Sequence, residues 1–177
     1  MLIPRLNKWI ASPLILLLFA GLAVTLPEPA QADCQGENAT VPGATNGNDT
    51  LSGGNGVDVI ESLDGDDNAT GGSGDDWICG HQGSDQRDLQ GGDDGDFVWG
   101  QDGSDHLFGG PGGDALWGDD GGDDIDGGGN GDYILGNDGE DDVWAGDGED
   151  EIYGSASDDN LLGGPGDDQI DGGAGTD

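Results

Sequence analysis

An aspartate recurs at every ninth residue through most of this chain, and this period constrains the fold more than any other feature. Residues 53–61 read GGNGVDVIE and residues 71–79 read GGSGDDWIC, and both fit the pattern GGxGxDxUx, in which U is a large aliphatic residue. A fixed short period is typical of solenoids, whose units pack only against their neighbours. The sixth position is aspartate in all fifteen repeats: Asp49, Asp58, Asp67, Asp76, Asp85, Asp96, Asp105, Asp114, Asp123, Asp132, Asp141, Asp150, Asp159, Asp168 and Asp177.

The eighth position is aliphatic in nearly every repeat and is flanked by mostly polar residues. This alternation predicts a very short strand with one buried face, preceded by a glycine-rich turn. Only Ala69 and Arg87 break the row. The frame predicts an N-terminal block of repeats over 44–88, an insertion at 89–90 and a C-terminal block over 91–177 that stops within a repeat. Because Arg87 cannot be buried unpaired without a large cost, we expect a kink or bulge there.

These motifs resemble the repeats-in-toxin (RTX, hemolysin-type) family of calcium-binding nonapeptide repeats. The resemblance implies an all-β fold, a right-handed parallel β-roll (β-solenoid) in which two repeats make one coil of 18 residues. It also implies that the sixth-position aspartates of repeats n and n+2 share a calcium ion, with backbone carbonyls completing the shell. The fifteen aspartates above are then the metal ligands, with about thirteen potential sites. Calcium accepts six to eight oxygen ligands in loose geometry, which suits such turns.

The chain is strongly acidic, with 39 Asp and Glu against three Lys and Arg. Such a surface disfavours nucleic acid and anionic membranes as partners, because both need positive charge. It favours cations. Carboxylates crowded along a solenoid oppose its folding until cations neutralise them, so we expect the chain to fold as it binds calcium. Two repeats depart from the motif, 62–70 (SLDGDDNAT) and 154–162 (GSASDDNLL), and their calcium sites are in doubt.

The N-terminus has the order of a secretory signal peptide. Arg5 and Lys8 precede an apolar run, and Ala30-Gln31-Ala32 provides the small residues that precede a cleavage site. We therefore predict a signal over 1–32 and an N-terminal segment over 33–43, in a secreted protein, with a periplasmic one as the alternative. A membrane anchor is the alternative. In an exported chain Cys34 and Cys79 either form a disulfide or remain two thiols.

The seventh and ninth positions face outward, and in even-numbered repeats they carry aromatic residues. If the insertion preserves the alternation of repeats, one sheet presents an exposed apolar stripe. Two explanations are open: cross-strand pairing that stiffens the sheet, or a surface for self-association or for a glycan or protein partner. The residues are Trp77, Phe97, Trp99, Trp117, Tyr133 and Tyr153.

The sequence contains none of the HExxH, GxSxG or GxxxxGK[ST] motifs, and the repeats explain its acidic residues, so we expect no enzyme. The leading hypothesis is a secreted calcium-binding repeat protein with a structural or adhesive role. The alternative is a C-terminal or accessory fragment of an RTX-type secreted toxin or hydrolase. Family members often join such an array to a catalytic or pore-forming domain, which this chain does not resemble.

Overall fold

The computed structural model describes residues 14–19, 22–27, 40–85 and 88–177, which belong to two units, 1–35 and 36–177. In the first unit, β1 (Leu14–Phe19) and β2 (Leu22–Pro27) form an antiparallel pair. Both strands lie in the predicted signal segment, and the cleavage site after Ala32 lies outside the described residues, so the signal stays a prediction. Among the described residues, none belongs to a helix long and apolar enough to cross a membrane.

The second unit is a parallel β-solenoid of about seven coils, which confirms the predicted fold class. Successive strands alternate between two seven-stranded sheets, called here the odd sheet and the even sheet by strand number. The odd sheet contains β3 (Thr50–Asn55), β5 (Asn68–Ser73), β7 (Leu89–Asp93), β9 (His106–Pro111), β11 (Asp124–Gly129), β13 (Asp142–Asp147) and β15 (Asn160–Leu162). The even sheet contains β4 (Val59–Glu61), β6 (Trp77–Gln82), β8 (Phe97–Asp102), β10 (Ala115–Asp120), β12 (Tyr133–Asp138), β14 (Glu151–Ala156) and β16 (Gln169–Ala174).

The core is the row of eighth-position side chains, which meet between the two sheets. In the even sheet Leu116 pairs with Val98 on one side and with Ile134 on the other, and all three are fully buried. Ala69 also lies in this row and has no exposed surface. Its small side chain makes the core narrower at this point, but the row of buried residues continues through it. Ile170, on the edge strand β16, is 49% exposed. The predicted inward row is therefore confirmed over most of its length.

The two residues that interrupt the nine-residue period do not lie at 89–90, where the sequence analysis placed them. Leu89, assigned to an insertion at 89–90, instead pairs with Ala69 and with Leu107 and is fully buried. It takes the inward position that the frame gave to Arg87, because an aliphatic side chain is far cheaper to bury than a guanidinium group. The two extra residues therefore fall between Asp85 and Asp88. Gln86 and Arg87 lie outside the described residues, as does the predicted bulge.

Residues just before the first repeat cover the edge of the even sheet. The Thr40 backbone N–H donates to the Val59 carbonyl at 2.9 Å, and the Val59 N–H donates to Thr40 Oγ1 at 2.8 Å. Thr40 Oγ1 in turn donates to Asp58 Oδ1 at 3.0 Å. On the same sheet Cys79 is fully buried and disulfide-bonded, and Cys34, the other cysteine of the sequence, lies outside the described residues.

Candidate metal centre

The sixth-position aspartates form two ladders along the turns, one beside each sheet. In each pair of aspartates two repeats apart, the backbone N–H of the first donates to Oδ1 of the second. Examples are Asp67 to Asp85 at 2.7 Å and Asp123 to Asp141 at 2.9 Å. Thirteen such bonds, between 2.7 and 3.2 Å, connect all fifteen aspartates in this way. The structure thus brings together every aspartate that the period singled out, in alternate repeats.

The second carboxylate oxygen of most of these aspartates is buried without a partner. Burying a charged oxygen with no hydrogen bond is costly, so native proteins pair such atoms with a donor, a proton or a cation. Here the pattern repeats coil after coil, which marks it as a feature of the architecture. The orphaned Oδ2 atoms belong to Asp67, Asp76, Asp96, Asp105, Asp114, Asp123, Asp132, Asp141, Asp150 and Asp159.

Burial also changes the acidity of these side chains. Desolvation raises the pKa of Asp114 to about 7, against hydrogen bonding from the Asp96 backbone, which lowers it. For Asp132 desolvation raises the pKa to about 8, and the negative charges of Asp114 and Asp150 add to the rise. In metal-free protein near neutral pH, protons therefore occupy part of the ladder. A divalent cation would compete for the same oxygens, and its binding would release those protons.

A glycine at the first position of a repeat leaves room for an ion beside its turn. A Cβ added to Gly109 would lie 2.4 Å from Asp114 Oδ2 and 2.5 Å from the Gly127 carbonyl oxygen. The space beside this glycine, called here the cradle, is thus bordered by a carboxylate oxygen of its own repeat and a carbonyl oxygen from two repeats later. Gly71 has the same arrangement, because a Cβ added there would lie 2.4 Å from Asp76 Oδ2. Only a residue without a side chain leaves the cradle open.

The donor chemistry fits calcium. Carboxylate and carbonyl oxygens are the hard ligands that Ca²⁺ collects in shells of six to eight. Among residues 40–85 and 88–177 no group of three or more His, Cys, Asp and Glu side chains converges on one point. Backbone carbonyls must therefore supply much of any shell, a contribution that counting acidic side chains misses.

The two repeats whose sites were in doubt differ from each other. In repeat 154–162 the cradle of Gly154 is intact, with Asp159 Oδ2 at 2.3 Å and the Gly172 carbonyl oxygen at 2.7 Å from a Cβ placed there. Asp159 also donates its N–H to Asp177 Oδ1 at 3.0 Å, as the other aspartates do. In repeat 62–70 the cradle is filled by the side chain of Ser62, which is fully buried. Of these two repeats, the earlier one alone has a side chain in its cradle, and the calcium sites of both stay predictions.

The outward aromatic residues of the even sheet pack in rows, as the alternation of repeats predicted. Trp99 and Trp117 stack at 4.8 Å between ring centroids with an interplanar angle of 6°, and Phe97 stacks on Trp117 at 6.3 Å. The expectation of an exposed stripe is wrong for most of the row: Trp99 is 6% and Trp117 4% exposed. Ring-on-ring packing contributes to this burial, because stacked rings hide their faces from solvent. Trp77 remains 45% exposed.

Comparison with known proteins agrees with the site. A sequence model described as the RTX calcium-binding nonapeptide repeat matches in four copies, over residues 44–68, 55–86, 88–116 and 144–177. These ranges cover more than half of the chain, and the second and third separate at the interruption near Arg87. A search of curated proteins found no match.

Proposed function

Because the chain belongs to the RTX calcium-binding nonapeptide repeat family, we propose that it is an exported protein that folds on binding many calcium ions and then acts as a rigid structural or adhesive element. The observation that carries this proposal is the ladder of buried Oδ2 atoms without hydrogen bonds. Burial without a hydrogen bond favours a positive partner for these oxygens, and the chain provides almost no basic side chains. Outside the predicted signal, the 39 acidic residues less Glu28 leave 38 against one basic residue, Arg87, a formal charge of −37.

Different groups in each turn would have different roles in holding an ion. Oδ1 of the aspartate accepts the N–H of the preceding coil, which fixes the carboxylate in place and turns Oδ2 toward the cradle side. The first-position carbonyl of the repeat two further on borders the same space. Calcium, when bound, supplies the positive charge that the paired coils need in order to stack. The proposal assigns up to about one ion to each of the thirteen pairs of aspartates that these hydrogen bonds join.

Calcium dependence of folding follows from the balance of charge and burial. The hydrophobic core is about one aliphatic side chain per repeat, whereas eleven of the fifteen sixth-position aspartates are buried as well. Closely spaced carboxylates repel one another and lose solvation in the folded state. A chain of this composition is expected to be largely disordered until cations bind. The predicted export is consistent with this, because extracellular calcium modules work at about 10⁻⁴–10⁻³ M calcium.

For the aromatic rows, a stiffening role is better supported than a contact surface. Flat contact with a sugar ring needs an exposed aromatic face, and the stacked indoles of Trp99 and Trp117 cover each other's faces. Any self-association or glycan contact through this sheet would run through Trp77, the exposed member of the row. We propose no catalytic activity for this chain.

A calcium titration of the full chain tests the proposal. Far-ultraviolet circular dichroism in chelator should show a disordered spectrum, and calcium up to about 10 mM, roughly tenfold above the weakest extracellular affinities, should convert it to a β spectrum. Isothermal titration calorimetry should give many ions per chain, near thirteen. Magnesium, which demands tighter octahedral geometry, is the matched control and should produce little folding. A spectrum that calcium leaves unchanged, with no heat of binding, would overturn the proposal.

A further inference from the structure

One cradle is closed by a polar side chain of the protein itself. Ser62 stands at the first position of repeat 62–70, where most repeats have glycine, and it is fully buried. Its Oγ lies 2.9 Å from the Cys79 carbonyl oxygen and 3.0 Å from the Gly80 carbonyl oxygen. Its backbone N–H also donates to the Cys79 carbonyl at 3.0 Å. The hydroxyl is thus hydrogen-bonded to backbone carbonyls of the next coil.

These partners are the equivalents of the ones that border the open cradles. Gly80 is the first-position residue two repeats later, so its carbonyl corresponds to that of Gly127 beside Gly109. The carboxylate of the repeat belongs to Asp67. The Ser62 hydroxyl has one proton, and its hydrogen bonds go to the two carbonyl oxygens, so Asp67 Oδ2 has no hydrogen-bond partner.

We propose that the Ser62 side chain takes the place of a calcium ion in this turn, so that the coil joining Asp67 to Gly80 closes without metal. The hydroxymethyl group fills the cradle, and its O–H satisfies the carbonyl that an ion would otherwise engage. This proposal rests on the calcium function proposed above. The chain would then contain one metal-independent coil near its N-terminal end, next to the edge that Thr40 covers and to the disulfide-bonded Cys79.

A second repeat separates the effect of size from the effect of the hydroxyl. Ala145 occupies the first position of repeat 145–153 and is also fully buried. Its methyl group fills the cradle but donates no hydrogen bond, and Asp150 Oδ2 beside it has no partner. Ser62 therefore differs from Ala145 in having the donor, and Ala145 is the natural control within the same molecule.

The experiment counts calcium ions in the full chain by equilibrium dialysis at saturating calcium. Ser62→Gly opens the cradle and should bind one ion more than wild type, whereas Ser62→Ala keeps it filled and should bind the same number. The reciprocal variant Gly109→Ser should bind one ion fewer. If Ser62→Gly binds no additional ion, the proposal fails. If Ser62→Ala binds one ion fewer, Ser62 is a calcium ligand and the proposal is again overturned.

Hydrogen exchange at sub-saturating calcium provides the second readout. In wild type, amides of residues 62–82 should gain protection at lower calcium than those of residues 109–129. In Ser62→Ala the two segments should gain protection at the same calcium concentration. In Ala145→Gly, which removes no hydroxyl, residues 62–82 should still gain protection at lower calcium. If they also do so in Ser62→Ala, the result would count against the proposal. Wild type that binds no calcium would instead defeat the proposed function, so the two failures are distinguishable.

Discussion

The backbone N–H of Asp114 donates to Oδ1 of Asp132, 2.8 Å away and one coil further along. This bond uses one oxygen of the carboxylate, and Asp132 Oδ2 is left buried and without a partner. The same division of the two oxygens repeats along both turn ladders. This division relates the nine-residue spacing to cation binding at the turns. Each aspartate is fixed by one neighbour, and its second oxygen is available to an ion.

Replacing Asp132 by Asn should remove calcium from its turn. An amide can still accept the Asp114 N–H through its oxygen, but it brings no negative charge, so we expect the loss of one or two of the bound ions. Calorimetric titration measures this number. Asp124→Asn is the matched control, because Asp124 lies outward with its side chain 60% exposed and its Oδ2 lies 3.1 Å from His106 Nε2. A similar loss in both variants would show that general charge, and not the ladder, determines binding.

Acid should stabilise the metal-free solenoid. Burial raises the pKa of Asp85, Asp96 and Asp123 from 3.8 to about 7. The folded state therefore binds more protons than the unfolded state, so this contribution is fully present below pH 3.8 and is lost as the pH rises through about 7. Circular dichroism of metal-free protein should show β structure at pH 4 that disappears by pH 8. Calcium affinity should change oppositely and weaken below about pH 7, because protons compete for Oδ2. β content that increases with pH in metal-free protein would contradict this.

Replacing Trp117 by Thr should destabilise the calcium-loaded protein. Trp117 is 4% exposed and has ring contacts with Trp99, Phe97 and Tyr133. Loss of this packing should lower the free energy of unfolding by about 2–4 kcal/mol. Chemical denaturation at saturating calcium measures the change, with Trp99→Thr expected to behave alike. Trp144→Thr, at a site 56% exposed on the odd sheet, should change stability by less than about 1 kcal/mol. Unchanged stability with lost self-association would instead identify a contact surface.

Truncating the core row should be costly at single positions. Ile134 is fully buried between Leu116 and Ile152, and Ile134→Ala should lower the free energy of unfolding by about 2–5 kcal/mol at saturating calcium. The denaturation midpoint is the measured quantity. Leu162→Ala, at a position 53% exposed, is the control and should have a small effect. Equal effects would mean that the interior row is not the principal core.

Much of the architecture could be predicted from the sequence because the period fixes neighbours. Residues 18 apart, such as Leu116 and Ile134, must lie side by side once two repeats make a coil. The interruption could not be placed in this way. The period alone does not show which two residues are extra to the repeat. The structure shows it, because Leu89 is buried and pairs with Ala69. The aromatic rows were predicted correctly in their order but not in their exposure, because exposure depends on how rings stack.

The sequence by itself therefore determined the family, the two-sheet solenoid, the inward aliphatic row and the aspartates of the turns, because each follows from a local repeat whose period sets its neighbours. Only the tertiary structure decided what each aspartate oxygen does. Oδ1 is used by a backbone N–H from another coil, Oδ2 is not, and the second oxygen beside a cradle is a backbone carbonyl 18 residues away. Those partners exist only when coils stack, which is also why Ser62, an ordinary departure from the motif in sequence, closes a cradle in the folded protein.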